Sequence, residues 1–137
     1  MSIRENAFTF FDACETGKGW EVCKQWCDPN ATFRAQADAL ADISRLEDYV
    51  EWQKNLLVPI PDGQYELLSF GVDEQRSTVA AAAVFHGTHT VDPGGNPPTG
   101  KSVAADYCYV MHFQDGKISH MTKIWNDGFS LRELGWA

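Results

Sequence analysis

The chain has 137 residues, 44% hydrophobic and 22% charged, a composition that excludes a disordered segment and points to one globular domain of residues 1–137. Its 19 acidic side chains outnumber 11 basic ones, and a net charge of -8 repels phosphate backbones and anionic bilayers, so no nucleic acid and no membrane is expected as partner. No apolar run approaches the roughly 20 residues of a bilayer span, and the start Met1-Ser2-Ile3-Arg4-Glu5-Asn6 lacks the order of a signal peptide, so a cytoplasmic protein is expected.

Ser2-x-x-Glu5 is a capping box, followed by Ala7, Phe10, Phe11 and Cys14 on one helical stripe that Gly17 and Gly19 end. A second short helix is predicted over Trp20 to Trp26, then a turn at Asp28-Pro29-Asn30 and a short strand over Thr32 to Gln36. Ser44-x-x-Glu47 reads as another capping box, opening a helix that runs to Leu57 before Pro59 and Pro61 stop it. The period then changes to that of strands: Tyr65 to Val72, Ser77 to Thr90, Lys101 to Phe113, and Lys117 to Asn126. The stretch Val79 to Phe85 is apolar on both faces, as in a strand covered twice. Asp92 to Gly100, rich in Pro and Gly, reads as a loop, and Asp115-Gly116 is a hairpin turn. A last short helix covers Phe129 to Leu134. Helices followed by antiparallel strands is the α+β pattern. The four cysteines, Cys14, Cys23, Cys27 and Cys108, have no zinc or disulfide spacing and read as small buried hydrophobes.

The hairpin sets a register. With Gln114 opposite Lys117 and Phe113 opposite Ile118, Met111 falls opposite His120, Tyr109 opposite Thr122, Tyr107 opposite Ile124 and Ala105 opposite Asn126. This apolar face is expected to meet a pocket, and the other face, with Asp106, Cys108, His112, Ser119, Lys123 and Trp125, a partner or solvent. A single bulge would exchange the faces beyond it.

The Gly87-Thr88-His89-Thr90 strand end, the Pro97-Pro98-Thr99-Gly100-Lys101 loop, Phe113-Gln-Asp115-Gly116-Lys117-Ile118 and the end from Trp125-Asn126-Asp127 to Leu134-Gly135-Trp136 resemble the SnoaL-like polyketide cyclase group of the nuclear-transport-factor-2-like (cystatin-like) superfamily. The resemblance implies a cone-shaped, bent antiparallel sheet wrapped around N-terminal helices, an apolar pocket between them, and a homodimer through the outer sheet face. It also implies a small apolar carbonyl-containing ligand, cyclised or isomerised as in ketosteroid-isomerase-like enzymes by acid/base chemistry, with no cofactor. The histidines, spread over separate strands, do not make a metal site, and no metal is expected. In such cyclases an aspartate ends the last strand as general acid/base. Here Asn126 stands at that position, with Asp127 beside it, and an asparagine cannot take the proton. Asp127 equally suits a cap of the last helix.

The candidate catalytic residues are therefore Asp127, Asn126 and His89. Tyr107, Tyr109, His120, Trp20, Trp52 and Phe33 are candidates for binding substrate, although aromatic residues at these spacings also fill cores. Two non-enzymatic readings stand beside the cyclase: a small-molecule-binding protein, favoured by Asn126 at the acid position, and a dimeric interaction module of the same fold.

Overall fold

The computed structural model describes residues 2–137. Helix α1 (Ile3–Glu15) starts where the serine predicts: Ser2 accepts the Glu5 N–H at 3.2 Å. It buries Ala7, Phe10, Phe11 and Cys14, and burying each phenylalanine contributes on the order of 2 kcal/mol. The chain leaves it through Gly17, whose φ of 76° suits glycine. Helix α2 (Trp20–Cys23) runs into a 3-10 turn over Lys24–Trp26. Strand β1 (Cys27–Ala35) is longer than the sequence predicts and takes in the residues expected as a turn, which form an irregularity in the strand where Asp28 accepts the Asn30 N–H at 2.7 Å. Helix α3 (Leu46–Leu56) follows, then β2 (Gln64–Asp73), β3 (Thr78–Thr88), β4 (Ser102–Gln114), β5 (Lys117–Trp125) and helix α4 (Asp127–Glu133).

The second capping box does not form. Arg45 is the N-cap of α3 and makes no side-chain bond there. The Ser44 carbonyl accepts the Phe33 N–H at 2.9 Å and Arg45 bridges to Thr32, so pairing to β1 sets where α3 begins.

The fold is α+β, with one open, curled five-stranded sheet in the order β1-β5-β4-β3-β2. Four strands are antiparallel, and β1 joins β5 in parallel, which the intervening α3 and strands allow as a long crossover. The inner face of the sheet packs on α1 and α3 in the main core. Ala80, Ala82 and Val84 lie on the outer face, between the buried Val79, Ala81 and Ala83.

Asp115 and Gly116, with φ of 52° and 79°, make the two-residue turn, and the first two predicted pairs hold. The next pair is His112 with His120, because Ser119 is an extra residue in β5. Beyond it Met111 faces Met121, Tyr109 faces Lys123 and Tyr107 faces Trp125. The expected partners His120, Thr122 and Ile124 are displaced to the outer face, and β5 ends before Asn126 could pair with Ala105. Burial confirms the exchange: Lys123 is 6% exposed and Ile124 61%.

The turn gives the first prediction. Gly116 sits in left-handed backbone with open space where a Cβ would be, so Gly116→Ala costs conformational energy alone, about 1 kcal/mol. Urea unfolding should show a lower midpoint at unchanged slope. An unchanged midpoint would mean the turn relaxes freely.

Candidate active site

Between α3, strands β3 to β5 and α4 lies a cavity of about 560 Å³, its open mouth included. Its walls are mainly apolar: Trp52 and Leu56 from α3, Ile60, Phe85, Val103, Ala105, Trp125, Leu131 from α4 and Leu134 just after it. The exposed members of the lining, Ala39 and Trp136, mark the mouth. Five polar side chains also reach the lining and are buried: Glu15, Gln53, Tyr107, Lys123 and Ser130, whose hydroxyl accepts from Trp125 Nε1–H at 2.9 Å.

Glu15 ends α1 on the same stripe as Ala7 and Phe11 and is 3% exposed. The Tyr109 hydroxyl donates to its Oε2 at 2.8 Å. Tyr109 has one proton, so the 2.6 Å bond to Tyr49 has Tyr49 as donor. Burial holds the Glu15 carboxyl above its ordinary range, while the charge of Lys123 and the hydroxyls of Tyr107 and Tyr109 pull it down. Lys123 lies 4.3 Å from the ring centroid of Trp125 and 5.1, 5.2 and 5.4 Å from those of Tyr49, Trp52 and Tyr107. Burial pushes its amine down to about 8, against the opposing pull of Glu15 and Cys14. Among the described residues the buried Tyr107 hydroxyl and Gln53 side-chain nitrogen make no hydrogen bond of good geometry, although the Tyr107 hydroxyl lies near enough to Glu15 to bias its titration.

The residues singled out from the sequence are dispersed. Tyr107 and Trp52 line the cavity, and Tyr109 stands behind it as the donor to Glu15. Phe33 stacks on Tyr49 at 4.4 Å and Trp20 is buried, both in the core outside the lining. His120 is on the outer face, displaced by the bulge, with Nδ1 2.8 Å from the Thr32 hydroxyl and its ring 5.3 Å from His112. Asn126 is exposed and caps α4, accepting the Phe129 N–H at 3.1 Å. Asp127 accepts the Ala39 N–H at 2.8 Å and is not in the cavity lining.

His89 has both ring nitrogens engaged. Its Nδ1 accepts from Thr99 N–H at 3.1 Å and Trp136 Nε1–H at 3.0 Å, which leaves Nε2 to donate to the Val91 carbonyl at 3.1 Å. It pins the 92–100 loop and Trp136 beside the mouth.

Glu15 and Lys123 are the buried charged side chains of the cavity lining that sequence reasoning missed. For Glu15 a signal exists, a carboxylate at i+4 from Phe11 on a buried stripe. For Lys123 none does, since the bulge that turns it inward has no sequence mark.

A family model described as SnoaL-like polyketide cyclase matches residues 5–134. Aklanonic acid methyl ester cyclase AcmA of Streptomyces galilaeus is 36% identical over 66 residues, 47% of this chain and 45% of that protein, so the match spans less than half of either. Among solved structures, IdmH of Streptomyces antibioticus, assigned as a polyketide cyclase, aligns with a TM-score of 0.78 at 19% identity over 98% of this chain and 99% of that one. AclR of Streptomyces galilaeus, assigned as a hydroxylase, aligns with a TM-score of 0.77 at 21% identity over 98% and 85%. At these identities the structures share the fold, which hosts more than one chemistry.

The four rings around Lys123 give a direct readout of its charge. Below about pH 8 the amine is a cation and above it is neutral, so intrinsic tryptophan fluorescence should change with a midpoint near pH 8. That transition should vanish in Lys123→Met. A transition that survives the substitution would place the titrating group elsewhere.

Proposed function

The chain belongs to the SnoaL-like polyketide cyclase family, and from that premise we propose that it is a cofactor-free cyclase or isomerase of a flat, carbonyl-bearing small molecule, with Glu15 as the general base. One observation carries the reading: a buried carboxylate and two unpartnered buried donors share one apolar cavity. Buried donors without partners cost on the order of 1–3 kcal/mol each, and a ligand oxygen placed between Tyr107 and Gln53 would relieve both.

The chemistry follows from those positions. A ring system lies against the indoles of Trp52 and Trp125. Glu15 takes a proton from the carbon beside a carbonyl, and its raised affinity for protons suits that task near neutral pH. The oxygen that gains negative charge accepts from Tyr107 and Gln53, donors that burial makes effective. The enolate carbon attacks a second carbonyl of the same molecule, and the proton held by Glu15 returns to the new alkoxide. Tyr109, supported by Tyr49, holds the carboxylate in place. The acid thus comes from the end of α1 instead of the end of β5, where Asn126 stands.

Aklanonic acid methyl ester, the compound in the name of the curated relative, is the first substrate to test. Wild-type protein should convert it, and Glu15→Gln should lower kcat by about 100-fold or more with ligand binding retained. Binding without conversion would favour the second reading, a small-molecule-binding protein, for which Asn126 at the expected acid position speaks. Full activity in Glu15→Gln with loss in Asp127→Asn would return the base to the end of β5.

The reading includes a homodimer through the outer sheet face, supported by the apolar patch of Ala80, Ala82, Val84, Val110 and the exposed Ile124. Four unpaired cysteines suit a reducing, cytoplasmic setting. Sedimentation should give a dimer for the wild type and a monomer for Ile124→Glu. A monomeric wild type would remove this part of the reading.

A further inference from the structure

The side chain of Lys123 is placed unlike that of a charge-pairing lysine. Among the described residues its Nζ makes no hydrogen bond and no ion pair, whereas Lys24 pairs with Glu21 at 2.9 Å. The residue is only 6% exposed, yet it belongs to the cavity lining beside the unpartnered hydroxyl of Tyr107. Four aromatic rings have their centroids within 5.4 Å of it. An amine with no oxygen partner, aromatic surroundings and an open cavity in front of it is disposed to react.

We propose that Lys123 is a carbonyl-capturing amine, which condenses with one carbonyl of a 1,3-dicarbonyl ligand while Tyr107 donates a hydrogen bond to the other. This rests on the reading of the cavity as the ligand site and names the class of compound it takes. Two unsatisfied polar groups on an otherwise apolar wall fit two oxygens in a 1,3 relation, and an enolised dicarbonyl is planar, which suits a wall faced by indole rings.

The step balances without an oxidant or reductant. The neutral amine adds to the carbonyl carbon, forming the N–C bond, and the oxygen becomes a hydroxyl. One proton leaves the nitrogen and one leaves the carbon between the two carbonyls. The C–O bond then breaks and the oxygen departs with both as water. The product is a conjugated enaminone on Lys123. Glu15 is the group placed to carry these protons.

Capture needs the amine neutral. The titratable groups around it are Glu15 and Cys14 from α1, Tyr49 from α3, and Tyr107 and Tyr109 from β4. Burial dominates over the two that favour its charged form, which brings its titration to about 8. Exposed Lys18, Lys54 and Lys101 lack any such environment and serve as internal controls.

The experiment uses 1-phenylbutane-1,3-dione with the full chain. Tryptophan fluorescence quenching reads binding, and near-ultraviolet absorbance with intact-protein mass spectrometry reads the adduct. The expected result is one adduct per chain, heavier by one probe less one water, mapped by peptide analysis to Lys123. Its rate of formation should rise with pH through about 8. Lys123→Arg and Lys123→Met should bind the probe without forming the adduct, and mapping on the wild type stands even if a variant misfolds. Quenching without an adduct, or adducts only on Lys18, Lys54 or Lys101, would overturn the capture and leave the cavity reading standing. No quenching at all would overturn both.

Discussion

Glu15 and Lys123, both more than nine-tenths buried, face one cavity, and the surrounding structure is organised by keeping two such groups tolerable. An isolated ion moved from water into a protein interior costs several kcal/mol. Glu15 is compensated by the Tyr109 hydroxyl, which is itself held by Tyr49. Lys123 is compensated by ring faces, each contributing on the order of 1 kcal/mol, and by the nearby carboxylate. Among the described residues no direct ion pair joins the two, so each keeps a side toward the cavity. An apolar pair of similar volume would make a more stable core, which is why perturbed charges in a cavity point to function before stability.

The arrangement depends on a single inserted residue. Without the extra Ser119, strict alternation from the Asp115-Gly116 turn would leave Lys123 and Trp125 on the outer face. With it, Lys123 enters the cavity beside Tyr107 and Trp125, and the outer face receives Ile124, Thr122 and His120. The same bulge therefore shapes both the cavity and the apolar outer surface. At the end of β5 the chain uses its two polar side chains for local structure: Asn126 caps α4 and Asp127 ties α4 to the turn at Ala39. His89 does likewise at the other side of the mouth, where its bonds to Thr99 and Trp136 hold loop and C-terminal segment together.

What could be read from the sequence was whatever local chemistry determines. The Ser2 cap, the Ala7–Cys14 stripe and the Asp115-Gly116 turn are decided within a few residues, and the structure has them as the sequence predicts. The α+β fold and the family were likewise legible, from the order of elements and the strand-end and loop segments. Ser44 shows where this fails: a capping box is a local preference, and pairing of Phe33 and Thr32 with the 44–45 backbone overrides it. The parallel docking of β1 on β5 is a long-range choice with no local signature. The candidate site was legible only in part. Tyr107 and Trp52 reach the cavity, but the faces assigned to His120 and Lys123 were exchanged, because a bulge changes parity and nothing in Ser119 announces one. Glu15 was legible in principle, as an acid on a buried helical stripe.

The most direct test of the central claim, that the Glu15–Lys123 cavity is where this protein meets its ligand, is a crystal structure with aklanonic acid methyl ester or a close aromatic ketone. The account predicts electron density against Trp52 and Trp125, with a ligand oxygen in hydrogen-bond reach of the Tyr107 hydroxyl and the Gln53 amide. Density instead at the end of β5, against Asp106, Ile124 and Asn126 with the cavity unoccupied, would contradict it.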